Sequence, residues 1–396
     1  MKRDELRKQV DSKIKEGIKN FIFNLPTGYG KSSLALHIVN KLSIKKPKVL
    51  LLVAEKAHKA NWKKEIEKFL KVEIDIRIEC YQSLHKLGNI LFDILIADEA
   101  HHLNTDLRQD LFKDIKSQYK IFLSATYEKN FKIKILKLPY SYEFFITLQT
   151  AIDNNTLPSP RILVLESEIP QTERVYTFNI RTVPNSPIIA CNYPERYTYK
   201  NKFPDNTIEV QCTFEEYLSN MQGLRIYYKE LWLDCRAKVY RDKYMNSIIK
   251  EKRFLGSTKT DILKSYAEKF RKENRRFIFF TTSILQAEEI GNAITSSTSN
   301  PEEIIKDFNE GKTNELIAVN MLQEGQNLVD TEVGFISQVD ASSRSLIQKV
   351  GRLLRHPKPT IIIHYYKNTI EEEYTKKVLS DTFSSSFIEY KELKLR

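Results

Sequence analysis

An apolar run, a glycine-bearing loop and a helical pattern follow one another in residues 21–42. The first part reads Phe-Ile-Phe-Asn-Leu-Pro-Thr-Gly-Tyr-Gly-Lys-Ser-Ser, and apolar residues then recur at helical spacing as Leu34, Ile38 and Leu42. This order predicts a strand, a tight turn and a helix that begins at the turn. Because loop N–H groups and the positive end of a helix dipole can surround a polyphosphate, the segment predicts an α/β sheet with a nucleotide site at its edge.

The loop supplies the residues that we expect to bind the nucleotide. They are Pro26, Thr27, Gly28, Tyr29, Gly30, Lys31, Ser32 and Ser33. Lys31 can reach the β- and γ-phosphates, and the Ser32 hydroxyl can bind Mg²⁺. A strict phosphate-loop pattern would need glycine at position 25, which is Leu25 in this chain. A single loop motif is only suggestive, so the rest of the site must come from elsewhere.

A pair of carboxylates completes the predicted site. Residues 92–102 read Phe-Asp-Ile-Leu-Ile-Ala-Asp-Glu-Ala-His-His, which predicts a buried parallel strand that ends at Asp98 and Glu99. Open α/β sheets bind their ligands at the carboxyl ends of such strands. Asp98 is predicted to hold Mg²⁺ through water, and Glu99 to orient and deprotonate the attacking water. Taken alone, the sequence Asp-Glu-Ala-His at 98–101 could be an acidic first turn of a helix.

Two later stretches complete a set of four. Residues 124–126 read Ser-Ala-Thr after an apolar strand, and residues 348–355 read Gln-Lys-Val-Gly-Arg-Leu-Leu-Arg. In this order the four stretches resemble the motor core of superfamily 2 helicases and translocases, in the branch with an Asp-Glu-Ala-His box. The Pro-Thr-Gly-x-Gly-Lys-Ser loop is the variant found in helicases. Weaker signatures of the same family are at residues 53–62, 81–84, 277–282 and 321–328, and the chain is most similar to compact phage-type DNA helicases.

The resemblance implies two RecA-like lobes that hydrolyse ATP with Mg²⁺ in the cleft between them. Arg352 and Arg355 correspond to arginine fingers, Gln348 faces the same site, and Gly325 belongs to the nucleotide-binding set. Asn327 stands where the family usually has aspartate. The three-residue spacing of the arginines favours one helix face, although ordinary ion pairing on a helix would look the same.

The resemblance also assigns residues to coupling and to strand binding. His101, Ser124 and Thr126 are expected to couple the nucleotide state to strand binding. The predicted nucleic-acid contacts are Lys56, His58, Lys59, Gln82, Ser83 and Thr282. A net charge of +12 agrees with a phosphate-rich partner, and residues 1–70 contribute +10 of it (17 Lys and Arg minus 7 Asp and Glu). Lysines that only solubilise helix faces would give the same count.

The pattern along the chain predicts two domains in tandem. We expect a RecA-like ATP-binding domain at 1–155 and a RecA-like C-terminal domain at 156–396, with a small β/helical insertion at about 170–255. Within the insertion, short strands with many tyrosines precede a long helical stretch at roughly 214–252. The tyrosines could stack on bases or simply fill a small sheet. A mobile tail is expected at 384–386.

Composition restricts the compartment and the class of protein. The longest apolar runs, such as 49–54, are too short to cross a bilayer, and no apolar signal core follows the basic N-terminal residues. The four cysteines form no Cys-x-x-Cys pair, so a disulfide scaffold or zinc site is not expected. These features favour a cytoplasmic protein, in a bacterium or a phage-infected cell.

Three activities follow from these predictions. The leading hypothesis is an ATP-dependent DNA helicase or translocase in replication, recombination or repair, acting on single-stranded or forked DNA. An RNA helicase is the first alternative, because the ATP site is the same in enzymes that act on DNA and on RNA. The second is the motor subunit of a restriction or remodelling complex, which moves on duplex without unwinding it. A nucleotide-gated clamp is disfavoured by Glu99, Arg352 and Arg355.

Overall fold

The computed structural model describes most of the chain. The described residues are 2–87, 90–127, 129–170, 173–183, 186–191, 207–291, 293–295, 298, 300–319 and 328–394. Their side chains are described except in 171–212 and at positions 57, 106 and 113. Gly325, a predicted nucleotide-binding residue, and Asn327 lie outside the described residues. In the part of the chain described, no helix is both long and apolar enough to cross a bilayer.

Parallel strands form the first sheet, in the order β3-β2-β4-β5-β1-β6. These strands are β1 (Asn20–Asn24), β2 (Lys48–Val53), β3 (Asp75–Cys80), β4 (Leu91–Ala97), β5 (Lys116–Ser124) and β6 (Ser141–Phe145). All five residues of β1 are buried, as are 49–53 of β2, because a central parallel strand is covered on both faces. Apolar runs at 21–24, 49–54, 74–80, 94–97 and 120–123 predict all of these strands except β6.

Helices cover both faces of this sheet. They are α1 (Arg3–Lys15), α2 (Lys31–Lys41), α3 (Lys56–Phe69), α4 (Asp106–Lys113), α5 (Lys129–Leu136) and α6 (Leu148–Asp153). The helix predicted after the glycine loop is present as α2. A short 3₁₀ turn, Ala100–Leu103, follows β4 directly. The first lobe therefore places the ends of β1, β4 and β5 at one edge of its sheet.

The second sheet begins with β7 (Arg161–Ser167), after which the chain leaves to form the insertion. The insertion has an antiparallel sheet of β8 (Glu173–Val183), β9 (Ser186–Cys191) and β10 (Thr207–Thr213) in the order β10-β8-β9. Two helices follow, α7 (Phe214–Cys235) and α8 (Lys238–Ser257).

The helical stretch predicted over about 214–252 is present, and the structure divides it into two helices. Arg236 adopts the left-handed conformation with φ of 54°, which ends α7 and lets α8 turn back against it. Thr213 and Glu216 form a capping box that fixes the start of α7: Glu216 N–H donates to Thr213 Oγ1 at 3.1 Å, and Thr213 N–H donates to Glu216 Oε2 at 2.7 Å.

After the insertion the chain completes the second sheet, in the order β12-β13-β11-β14-β15-β7-β16 with every described pairing parallel. The added strands are β11 (Phe277–Thr281), β12 (Ala293–Ile294), β13 (Glu315–Val319), β14 (Val333–Ile336), β15 (Thr360–Tyr366) and β16 (Ile388–Glu392). The added helices are α9 (Thr260–Lys272), α10 (Ile284–Ile290), α11 (Pro301–Asn309), α12 (Ser343–Leu353) and α13 (Ile370–Thr382).

The α/β class, with two parallel-sheet lobes and a β/helical insertion, is confirmed. The boundary at 155/156 stays a prediction; strands of the first sheet end at residue 145 and those of the second begin at 161. The expectation of a mobile tail at 384–386 is wrong. These residues enter a 3₁₀ turn, Ser385–Phe387, that leads into β16, whose backbone pairs with β7.

Candidate active site

The glycine loop connects the end of β1 to the start of α2. Gly28 and Gly30 have φ of 86° and 101°, a region that side chains other than glycine rarely adopt. This backbone turns the N terminus of α2 towards the loop, so the N–H groups and the helix dipole point at the same space. Lys31 Nζ donates to the carbonyl of Leu25 at 3.1 Å, which holds the ammonium across the loop.

Residues outside the loop brace it. An Arg3 guanidinium nitrogen donates to the carbonyl of Gly28 at 2.8 Å, so α1 is attached to the phosphate loop. Tyr29 is fully buried, and its hydroxyl lies near Thr156, which follows α6. The Ser33 hydroxyl donates to the Gly30 carbonyl at 3.1 Å, inside the first helical turn. Sequence reasoning missed Arg3 because nothing local connects it to residues 26–33.

The two predicted carboxylates lie at the end of β4. Trp62 Nε1 donates to Asp98 Oδ2 at 2.7 Å, and the N–H of Glu99 donates to Asp98 Oδ1 at 3.1 Å. Tyr81 also anchors this turn, since its hydroxyl donates to the Asp98 carbonyl at 2.6 Å. Burial, together with the neighbouring charge of Glu99, raises the pKa of Asp98 to about 6 although Trp62 and Lys31 oppose the shift.

Glu99 has a left-handed backbone, with φ of 47° and ψ of 53°, which is rare for a residue other than glycine. Its Oε2 lies 3.3 Å from His101 Nδ1, and that nitrogen lies 3.1 Å from Ser124 Oγ. Ser124 Oγ already donates to the Thr126 carbonyl at 2.7 Å, so Nδ1 carries the proton in this network. The three predicted coupling residues thus form one connected chain of contacts that starts at Glu99.

The second lobe reaches this site through α12. A β-carbon added to Gly351 would lie 2.6 Å from Thr27 Cβ, so the helix backbone packs directly on the glycine loop. Gln348 and Arg352 are 3% and 5% exposed in this contact. Arg344 also crosses between the lobes, and its Nε donates to Thr126 Oγ1 at 2.9 Å. Sequence reasoning missed Arg344, although it lies one turn before Gln348 on the same helix.

Arg355 differs from its prediction. Helix α12 ends at Leu353, so Arg352 and Arg355 do not share one helix face as their spacing suggested. Arg355 follows the end of the helix, and its side chain is exposed. Desolvation, with repulsion from Arg352, lowers the pKa of Arg355 to about 10. The two arginines are therefore close together. Arg352 lies within α12, and Arg355 follows the end of that helix.

The donors near Asp98 suit Mg²⁺. Both Asp98 carboxylate oxygens already accept hydrogen bonds, so this residue would reach a cation through water. A cation bound here would offset the burial and the Glu99 charge that raise the pKa of Asp98. Among the residues described, His, Cys, Asp and Glu form no group of three or more that could hold a metal.

Family comparisons cover both lobes. Residues 3–129 match the family described as type III restriction enzyme, res subunit, and residues 233–357 match the helicase conserved C-terminal domain. A relative named DNA 3′-5′ translocase XPB2, from Sulfurisphaera tokodaii, is 23% identical across 89% of this chain and 78% of its own length. The chain therefore carries the paired domains of a helicase motor, one matched in each lobe. It is an ATP-dependent helicase or translocase, and hence an ATP-hydrolysing enzyme.

Solved structures share the fold of this helicase. The helicase domain of Pyrococcus furiosus Hef aligns over 94% of the chain and 97% of its own length, with a TM-score of 0.53 and 16% identity. The type ISP restriction-modification enzyme LlaBIII bound to DNA aligns over 98% of the chain with a TM-score of 0.55 and 13% identity. The helicase corresponds to 31% of that longer enzyme.

The predicted strand contacts of the helicase occupy different environments. Lys56 and Gln82 are exposed, and Ser83 is partly exposed beside them at the carboxyl edge of the first sheet. Lys59 pairs with Glu79 at 3.3 Å and keeps part of its surface accessible. His58 is 1% exposed, so its ring is not available to a strand and we remove it from the proposed contacts.

Thr282 lies at the end of β11 in the second lobe of the helicase, far along the chain from the other predicted contacts. Its hydroxyl donates to Gln286 Oε1 at 3.1 Å. The Gln286 amide in turn donates to the carbonyl of Gly256 at 2.7 Å, near the end of α8. Thr282 is therefore attached to the insertion through one glutamine.

Removal of the cross-lobe bond tests whether Arg344 helps to close the cleft. We expect Arg344→Ala to lower the ATPase rate about tenfold, the effect of one charge-assisted hydrogen bond. Thr126→Ala should cause a similar loss, and the double variant should be little worse than either single one. Steady-state ATPase assays on the four proteins measure this coupling. Fully additive losses would show that the two side chains act separately.

Proposed function

We propose that this helicase couples ATP hydrolysis between its lobes to movement along DNA. The observation that carries the proposal is the packing of α12 on the glycine loop, with Gln348 and Arg352 buried where the lobes meet. Half of the hydrolytic machinery is on each lobe. Closure would assemble it, and release of products would allow the lobes to separate.

Each residue has a role that its position supports. Lys31 and the loop N–H groups would hold the β- and γ-phosphates, and Glu99 would take a proton from the attacking water. The left-handed turn and the contact with His101 fix where the Glu99 carboxylate points. Arg352 and Arg355 would neutralise the charge that develops on the transferred phosphoryl group. Mg²⁺, held by Ser32 and through water by Asp98, would supply further charge neutralisation.

We propose DNA as the nucleic acid on which the protein moves, because of the names of its relatives and its positive net charge. XPB2 is named a DNA translocase, and LlaBIII is bound to DNA. The +12 net charge favours a polyanion without selecting DNA over RNA. Single-stranded or forked DNA and movement from 3′ to 5′ are the first substrate and polarity to test. The same proposal includes that residues Asp98–His101 mark the DEAH branch and that the chain is related to phage-type helicases. It also includes a cytoplasmic location and partners in replication, recombination or repair.

ATPase stimulation across a panel of nucleic acids tests the proposal. We expect single-stranded or forked DNA to stimulate hydrolysis more than RNA of the same length and sequence. Lys31→Ala removes the phosphate-binding ammonium and should abolish hydrolysis on every substrate, which controls for contaminating ATPases. Stimulation by RNA alone would reject the DNA assignment. Stimulation by blunt duplex without strand displacement on forked DNA would favour the duplex-translocating motor of a restriction or remodelling complex.

A further inference from the structure

A hydrogen bond joins helix α3 to one of the two predicted carboxylates. Trp62 lies in the middle of α3 and is 2% exposed, and its Nε1 donates to Asp98 Oδ2 at 2.7 Å. The indole N–H can only donate, and an ionised carboxylate can only accept, so the bond has one possible direction. A hydrogen bond to a charged group is also stronger than one between neutral groups. This bond therefore fixes how the Asp98 carboxylate is turned.

The order of the strands brings these two residues together, although 36 positions separate them in the chain. β2 and β4 are parallel neighbours in the first sheet. The Asp98 N–H continues their pairing, since it donates to the Leu52 carbonyl at 2.9 Å. Helix α3 starts at Lys56, just after β2 ends at Val53. Trp62 and Asp98 therefore meet at the carboxyl edge of the sheet.

The two oxygens of Asp98 are held by different elements. Oδ1 accepts from the backbone N–H of Glu99 at 3.1 Å, a bond within the turn that follows β4. Oδ2 accepts from Trp62, and that bond sets the carboxylate relative to α3. An ionised carboxylate has about four acceptor positions, so these two bonds orient the group without filling it. The orientation of Asp98 thus depends on where α3 lies.

Helix α3 has two faces of different chemistry. His58 and Trp62, four residues apart on one face, are both buried. Lys56 and Lys63 are exposed, and Lys59 keeps part of its surface accessible. Because a helix moves as a unit, a strand bound at the lysines would also fix or shift the indole.

We propose that Trp62 is a positioning residue: it holds the Asp98 carboxylate towards the waters of Mg²⁺, and it carries the effect of a strand bound on α3 to that carboxylate. The inference rests on the proposed function, which assigns Mg²⁺ to Asp98 and a strand to the lysines of α3. Phenylalanine in place of Trp62 would fill the core but leave Asp98 Oδ2 without this donor. The carboxylate would then be free to turn, and the metal would be held less firmly.

Nucleotide binding with and without the metal tests the positioning role. The affinity for a fluorescent ADP is measured by anisotropy in Mg²⁺ and in EDTA, and the ratio of the two affinities is compared between proteins. We expect Trp62→Phe to lower that ratio about tenfold, as for the loss of one hydrogen bond to a charged group, with the affinity in EDTA unchanged. Equal losses in Mg²⁺ and in EDTA would mean that Trp62 only supports the fold, and would overturn the inference.

Trp232→Phe is the matched control. Trp232 lies on α7 of the insertion and is the other tryptophan of the chain, so this variant makes the same chemical change and should keep the wild-type ratio. Asp98→Asn should abolish the magnesium effect, and Trp62→Phe added to it should cause no further loss if the indole acts through Asp98. A further loss of the ratio in the double variant would contradict the proposal.

The fluorescence of Trp62 tests the native contact, even if Trp62→Phe folds poorly. In the Trp232→Phe background, Trp62 is the sole tryptophan. Its emission should shift more when ADP binds with Mg²⁺ than when ADP binds in EDTA, and it should also shift when single-stranded DNA binds without nucleotide. An emission that does not respond to the metal overturns the positioning role. An emission that does not respond to DNA overturns the link to the strand.

Failure of the proposed function has a different signature. A wild type that binds ADP equally in Mg²⁺ and in EDTA overturns the magnesium role of Asp98, and the inference falls with it. A wild type with a magnesium effect that Trp62→Phe keeps in full overturns the inference alone. A wild type with the magnesium effect but no DNA-stimulated hydrolysis overturns movement on DNA, while a lowered ratio in Trp62→Phe still supports the positioning of Asp98.

Discussion

Gly351→Ala is expected to lower the rate of ATP hydrolysis by about 10³-fold or more, the loss seen when an arginine finger is removed. The added methyl group would lie 2.6 Å from Thr27 Cβ and 3.3 Å from the Thr27 carbonyl oxygen. Since backbone atoms form part of that contact, the helix must move away from the loop. Arg352, the next residue, would move with it. Binding of a fluorescent ATP analogue should remain, because the loop itself is unchanged.

The matched control for this substitution is Gly223→Ala. Gly223 lies in α7, and a β-carbon there would meet nothing within 4 Å, so alanine should leave the activity unchanged and slightly favour the helix. Single-turnover hydrolysis at saturating ATP compares the two variants. A Gly351→Ala protein with the wild-type rate would show that hydrolysis does not need α12 on the loop, and the split site would have to be abandoned.

Glu99→Gln should lower hydrolysis by about 10²- to 10⁴-fold, the usual contribution of a general base. Glutamine keeps the shape of the side chain and can keep the contact with His101 Nδ1, which lies 3.3 Å from the carboxylate in the native protein. It cannot take a proton from water. Binding of ATP and of DNA should therefore persist, and the protein should stay on DNA in the presence of ATP.

The control for Glu99→Gln is Glu67→Gln, an exposed acid on α3 of the same lobe. It removes the same charge far from the loop and should hydrolyse ATP normally. Rapid-quench measurement of the first turnover isolates the chemical step from product release. If Glu99→Gln hydrolyses ATP at the wild-type rate, Glu99 is not the general base, and a neighbouring residue must take the proton.

The sequence was most informative where structure is local. A strand, a glycine loop and a helix start are contiguous in 21–42, and the carboxylates directly follow β4, so both were predicted to within a few residues. The α/β class followed from the alternation of apolar runs and helical stretches. The roles of these residues stay predictions, because positions alone do not measure turnover.

Contacts between distant segments could not be predicted. Arg344 meets Thr126, and Arg3 meets Gly28, across separations that leave no mark on either local pattern. The break between α7 and α8 could not be predicted. Arg236 adopts a left-handed backbone there, and arginine has no preference for turns that would indicate it. His58 follows a strand end like its basic neighbours, yet the helix rotates it into the interior.

The route of the second sheet has a consequence for synthesis on the ribosome. Strand β7, at 161–167, pairs with β15 at 360–366 and β16 at 388–392. It therefore emerges long before either neighbour exists, while the whole antiparallel insertion is completed in the interval. The nascent polypeptide must carry an unpaired apolar strand until late in translation, when chaperone protection matters most.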